Sequence, residues 1–392
     1  MLKDTAEIIK EKKVEYIELI YDLIFVYMIG KNSSLIHHIE DGFIAPRAFL
    51  IFVLGTLVII QIWNITTFYI NRYGSNGVQD HIMIMINMFL LYFMGDATRA
   101  EWTEGAYYKY DIAWALILIN MLVNYWLKYR KYSVNKPWEA IQILYSMVML
   151  AGETVIVSVS IPLYVKTGVI IAPAALAFGI IFTLATNKVN NLVPVDFGHL
   201  TERAMLFVVF TFGEMIVAIA VYFEGGITAS GIYFELMTFL IVVGLFQSYE
   251  LCYDYLIDRE LITNGVGYMM IHIFLIFSLS TITAALEFMR ESEVDIFPKT
   301  VFLTVSLIMY FVFLLLLGIY MKNRTKPNPA FIAKIAVMLA AFAVIMLIFR
   351  NNMYVNVAAT VALVYGMLAI FIRAKKAFLK LERQTLSCMP KA

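Results

Sequence analysis

About twelve stretches of some twenty apolar residues follow one another along this chain, and each is long enough to cross the roughly 30 Å hydrocarbon layer of a bilayer as a helix. They cover 14–36, 48–70, 81–98, 107–128, 138–163, 168–187, 200–223, 231–257, 265–288, 299–321, 331–349 and 353–372. With 61% apolar and only 15% charged residues, 392 positions leave too little polar surface for a water-soluble globule. The links are short and carry turn chemistry, as in Tyr73-Gly74-Ser75-Asn76-Gly77 and Lys326-Pro327-Asn328-Pro329. The expected fold is therefore all-α: a single polytopic transmembrane bundle of about twelve spans over 14–372, with a cytoplasmic segment at 1–13 and a basic cytoplasmic tail at 373–392.

Lysine and arginine set the orientation, because they collect on cytoplasmic segments. Starting inside, the clusters Lys10, Lys12 and Lys13, then Lys128, Arg130, Lys131 and Lys136, then Lys322, Arg324, Lys326 and Lys334, and finally 373–383 all fall on one side. Both termini are expected in the cytoplasm. The tail is read mainly as a stop-transfer anchor, and Phe378, Leu379 and Leu381 among its lysines would also suit an interfacial helix. Trp63, Trp102, Trp126 and Trp138 read as interface belts. The polar opening at 3–13 argues against a cleavable signal peptide.

Within these apolar runs sit acids. A charge at the centre of a span costs roughly 2.5–3.5 kcal/mol on insertion scales, so Asp22, Glu153 and Glu214 point to buried polar sites. On the first span Glu15, Glu18 and Asp22 fall on one helical face, with Asp22 about 12 Å in by helical rise. On the seventh, His199, Arg203 and Glu214 lie near one stripe with Glu202 beside them, and Arg203 is the best counter-ion for Glu18 or Glu202. Gly152-Glu153 and Gly213-Glu214, each about 20 Å from the cytoplasmic end, form a weak echo of one another. On the eighth span Gln247, Glu250 and Asp254 share a face; Glu250 is read as the deeper acid, and Asp96 as the opposite mouth of a polar path.

Three segments carry a recognisable pattern: Glu18-Leu19-Ile20-Tyr21-Asp22-Leu23-Ile24-Phe25-Val26, then Tyr69-Ile70-Asn71-Arg72, then His199-Leu200-Thr201-Glu202-Arg203 running on to Gly213-Glu214. Together they resemble the bacterial low temperature requirement protein A (LtrA) family, with its E-L-x-x-D-L-x-F-V, Y-x-N-R and H-x-x-E-R…G-E segments. The last three spans match only in hydropathy. The resemblance implies a multi-pass protein of the bacterial cytoplasmic (inner) membrane, linked by the family name to growth in the cold. It supplies no biochemical activity.

Several chemistries find no support. His37, His38, His81, His199 and His272 lack metal-site spacing, Cys252 and Cys388 cannot make a soft-metal site, and no phosphate-binding loop or nucleic-acid patch is present. No catalytic residue, cofactor or metal is expected, and the chain is read as no enzyme; Thr154 beside Glu153 is a weak hint of a nucleophile. The expected function is proton- or cation-coupled transport or a channel, the polar site being Glu18, Asp22, Glu153, His199, Glu202, Arg203, Glu214 and Glu250. The rival is a regulatory or scaffold protein in which the acids lock helices together. The partners are the lipid bilayer and a proton or small cation, and Gly55, Gly179 and Gly244 permit close helix contacts within one copy or in a homo-oligomer.

Overall fold

The structure is a computed structural model that describes residues 12–99, 103–224, 228–289, 293–322 and 326–387. Among these, thirteen α-helices carry the chain: α1 Tyr16–Ser33, α2 Pro46–Tyr73, α3 Val78–Ala97, α4 Glu104–Tyr132, α5 Pro137–Thr167, α6 Pro173–Ala185, α7 Asn187–Asn190, α8 Phe197–Ala220, α9 Ala229–Leu251, α10 Val266–Phe288, α11 Ile296–Leu316, α12 Pro329–Ile348 and α13 Met353–Ser387. Local chemistry sets their starts. Proline opens α2, α5, α6 and α12, where its missing N–H costs nothing. Thr103, Thr228 and Asn328 accept backbone N–H groups at the starts of α4, α9 and α12. Gly168, at φ +71°, ends α5 in the left-handed conformation that glycine adopts without strain.

Eleven of the helices are long and apolar enough to cross a membrane. The chain is thus an all-helical, multi-pass membrane protein. The sixth expected span differs: in place of one helix over 168–187 stands the 13-residue α6, broken at Thr186 before the single turn of α7. Alone, α6 rises about 20 Å, short of a full crossing. The last helix also differs, running unbroken past the expected end of its span at 372 to Ser387.

The chain divides into two compact units. The first holds Ile44–Phe210, Glu260–Ile273 and the described residues up to Glu40. In it α4 packs on α3 and α5, and α5 on α6. The register of α5 against α6 and α7 is fixed by four meetings: the Ala172 N–H donates to Ser160 Oγ at 3.0 Å, Gly179 abuts the Glu153 carboxylate, Thr183 Oγ1 meets Met149 Sδ at 3.2 Å, and Gln142 Nε2 donates to Asn190 Oδ1 at 3.2 Å. Steps of seven, four and seven residues forward on one side of this pair are matched by equal steps back on the other.

The second unit comprises Asp41–Phe43, Thr211–Arg259 and the described residues from Phe274 onward. There α9 packs on α13, with Gly244 letting Val364 approach. Tyr310 on α11 donates to the Leu245 carbonyl at 2.9 Å, and Tyr222 to the Leu286 carbonyl at 2.5 Å. A π-turn over Cys252–Leu256 ends α9, and an antiparallel bridge joins Ile257 to Met321.

Candidate functional site

The start of α1 builds the first half of a charged cluster. Glu15 and Glu18 form a capping box, so one Glu18 oxygen is turned back to the Glu15 N–H while the other is free to look across to α8. One turn on, Asp22 is fully buried. From α8, Arg203, also fully buried, reaches both acids: its Nη2 and Nε donate to the two Asp22 oxygens at 2.5 and 3.2 Å, and its Nη1 pairs with Glu18. The forked guanidinium fits a carboxylate through two parallel bonds, which is why arginine suits this place. Trp63 on α2 completes Asp22's shell, donating Nε1–H to Oδ1 at 2.8 Å while its ring stacks on Phe207 with centroids 4.4 Å apart.

His199, one turn before Arg203, lies with Nε2 3.4 Å from Glu18. Asn71 on α2 donates to its Nδ1 at 3.0 Å, which leaves the ring proton on Nε2, facing the acid. The same Asn71 amide also donates to the Asp196 carbonyl at 2.8 Å and accepts the Asp196 N–H at 3.0 Å, while Asp196 caps α8 through the His199 N–H at 3.0 Å. Arg72 anchors to Asn190 and to the Asn264 carbonyl at 3.3 and 3.2 Å. Lys12, ahead of α1, gives its ammonium to the last carbonyls of α2, those of Ile70, Asn71 and Gly74, at 2.7, 3.0 and 2.7 Å. Burial pushes that ammonium below its ordinary value, against the pull of Glu18, Asp80 and Asp196.

The three sequence segments singled out for their pattern are therefore one physical knot: acids from α1, an amide from α2, and a histidine and arginine from α8. The profile of the family described as bacterial low temperature requirement A protein (LtrA) matches residues 13–369. This chain belongs to the LtrA family. No curated protein matches it. Among the described residues of this LtrA chain, the knot opens on the side of Glu18. Glu18 lines a cavity of about 430 Å³ shared with Lys12, Glu15 and Asp80, whereas Asp22 is sealed between Arg203 and Trp63.

The other acids singled out in the sequence do not join this cluster. Glu153 on α5 is fully buried and accepts one bond, from Gln61 Nε2 at 2.8 Å; its Oε2 meets no donor, and no cation pairs with it among the described residues. Gly179 on α6 lies so close that a Cβ there would overlap both Glu153 and Gln61. Glu202 is half-buried, and the described ion pairs of Arg203 go to Glu18 and Asp22 instead. Helical geometry explains this, since Glu202 lies 100° around α8 from Arg203. Glu214 belongs to the second unit, half-buried near Glu287 of α10. The echo between the two Gly-Glu pairs does not extend to their surroundings: Gly152 packs against Phe178, while nothing lies within 4 Å of a Cβ at Gly213.

Glu250 is exposed rather than deep, and lines a cavity of about 300 Å³ in the second unit with Gln247, Asp254 and Lys375. Asp96 is a surface acid paired with Lys109, and Thr154 spends its hydroxyl on the Leu150 carbonyl of its own helix. Trp63 is no belt residue, being fully buried at Asp22, whereas Trp126 and Trp138 are exposed; Trp102 lies outside the described residues. Gly55, Gly179 and Gly244 all serve contacts within the chain, meeting Asn32, Glu153 and Val364.

Two buried acids escaped the sequence reading: Asp80 at the start of α3, which faces Lys128 at 3.8 Å and accepts the Ser75 N–H at 2.7 Å, and Asp111. Asp111 on α4 is fully buried, but it lies four residues into the expected span, among Tyr107, Tyr108 and Tyr110 that read as an interfacial belt. The one available signal was spacing, which puts Asp111 on the same helix face as Tyr107 and Trp114.

Proposed function

We propose that this LtrA protein carries out proton-coupled transport, with Glu153 as the group that takes up and releases the proton. The observation that carries the proposal is a fully buried carboxyl with no cation partner among the described residues, set between two cavities that approach from opposite ends of the first unit. One cavity, about 60 Å³, runs from Gln61 and Gly179 past Asn64, Ser146 and Thr183 to Arg72 and Asn190. It has room for several waters in file and the polar lining to hold them. The other, about 160 Å³, runs from Arg47 and Asp111 to Val58. Val58 and Gln61 are one turn apart on α2, so Gln61 and Glu153 stand where the two cavities fall short of each other.

A carboxylate held there without a counter-charge is costly, so the carboxyl at rest carries its proton and gives it up when water or a solute arrives. Asp22 has the opposite chemistry. Its charge is balanced by Arg203, and it serves as a clamp between α1, α2 and α8.

The topology that supports this reading has twelve crossings with both termini in the cytoplasm. From 172 to 190 the broken α6–α7 segment keeps pace with α5 from Ser160 to Gln142, about 27 Å along the axis, which is nearly the hydrocarbon thickness. Broken helices beside a polar cavity are a recurring device of secondary transporters, because the freed backbone groups face the cavity and not lipid. The basic clusters favour both ends on the cytoplasmic side of a bacterial inner membrane.

The test is proton flux into vesicles reconstituted with the full chain, under an imposed pH gradient and clamped potential. Wild type should conduct well above protein-free vesicles and Glu153→Gln should not. Equal flux in wild type and Glu153→Gln ends the proposal.

A further inference from the structure

The cavity of about 160 Å³ at the starts of α2 and α4 has an unusual wall: Leu50, Ile51, Val58, Trp114 and Ala172 make it apolar, and Asp111 is its one acid. Asp111 is fully buried and both of its carboxylate oxygens meet no hydrogen-bond donor. The hydroxyls of Tyr107 and Ser160, bonded to each other, also lie close enough to interact with Asp111. Trp114, facing the same space and 1% exposed, has a buried Nε1 that is also without a partner. No cation pairs with Asp111 among the described residues, and Arg47 at the rim is exposed. Three buried polar atoms without partners around one apolar space are hard to explain as packing, since each forgoes about 1–3 kcal/mol of hydrogen bonding.

We propose that this cavity binds a small primary ammonium with an apolar body of about the size of benzene, its head group held by Asp111. The volume fits, because a cavity of roughly 150 Å³ lined by apolar side chains accommodates benzene. The charge fits as well: an ammonium brings several donors to a carboxylate that no cation among the described residues balances, in a cavity that Trp114 also lines. A hydrated inorganic cation would leave the apolar wall unused, and a neutral molecule would leave Asp111 to keep its proton and contribute no charge to binding. Leu50, 56% exposed on this rim, makes the entrance apolar, which suits an amphiphile arriving from the membrane interface.

The binding itself stands on this cavity alone. Its consequence for transport rests on the proton-coupled reading, in which loading of Asp111 from one cavity is exchanged for a proton at Glu153. Asp111 lies beside Ser160 of α5, which is seven residues, about 10 Å of helical rise, from Glu153.

Calorimetric titration of the purified full chain in detergent with benzylammonium, benzyl alcohol and methylammonium tests the site without any flux. Benzylammonium should bind at least about 10-fold tighter than either analogue, the alcohol lacking the charge and methylammonium the body. Asp111→Asn should lose about 10-fold or more of that affinity. Leu54→Trp, at the half-buried rim, should abolish binding with the melting temperature kept; it decides the matter should the Asn variant fail to fold. Equal affinity for benzylammonium and either analogue, or binding unchanged in both variants, overturns the proposal. Benzylammonium binding with no Glu153-dependent flux would keep this site and remove the transport reading, and the reverse result would do the opposite.

Discussion

Asp22 and Glu153 meet α2 only half a turn apart, through Trp63 and Gln61, and both are fully buried in the same unit of the protein. Their surroundings could hardly be less alike. Asp22 holds two guanidinium bonds and an indole bond, whereas Glu153 holds one amide bond and leaves an oxygen bare. Depth alone therefore does not define a working acid. Compensation by a neighbouring charge fixes a carboxylate in one ionisation state, and lack of compensation leaves its charge to a proton or a ligand.

The sharpest way to break this contrast is Arg203→Met, which strands two carboxylates in the interior and should cost about 3–5 kcal/mol, read as a fall in melting temperature in detergent. Adding Glu18→Gln and Asp22→Asn to that variant should restore most of the loss, because an uncharged core replaces an unbalanced one. No change in Arg203→Met would dissolve the distinction. Next in size is Trp63→Phe, which keeps an aromatic ring against Phe207 but removes a bond to a charged acceptor, for about 1.5–3 kcal/mol. Gly179→Ala tests the other side: its added methyl overlaps the Glu153–Gln61 pair and should cost about 1–3 kcal/mol by the same melting measurement. Smallest is Glu153→Gln. It should move stability by less than about 1 kcal/mol while removing proton flux, and a large loss of stability would make Glu153 a second clamp.

Local pattern carried much of this in advance. Hydropathy located eleven long helices, and the spacing of Glu18 and Asp22 on α1 and of His199 and Arg203 on α8 put the right side chains on the faces that meet. What one-dimensional pattern could not supply was partnership across distance. Arg203 could be read as an ion for Glu18 or Glu202, but its two bonds to Asp22 depend on how α8 packs beside α1. Glu153 looked like a twin of Glu214 because the dipeptide repeats, while the difference comes from α6, whose Gly179 packs directly against the Glu153 carboxylate, a contact between helices that no local pattern announces. Trp63 and Asp111 were misread or passed over for one reason. Near a span end, aromatic and acidic residues look the same in sequence whether they face headgroups or the protein interior.

The knot between α1 and α8 joins residues 181 positions apart, Asp22 and Arg203. At about 5–20 residues per second of synthesis, the opening helix leaves the ribosome roughly 10–35 s before its cation does. During that wait its two acids have to be sheltered by the insertion machinery, by neutralisation or by a shallow position near the surface. Closure of the knot thus waits on Arg203, because the two acids of α1 receive their counter-charge only from a helix made about 180 positions later.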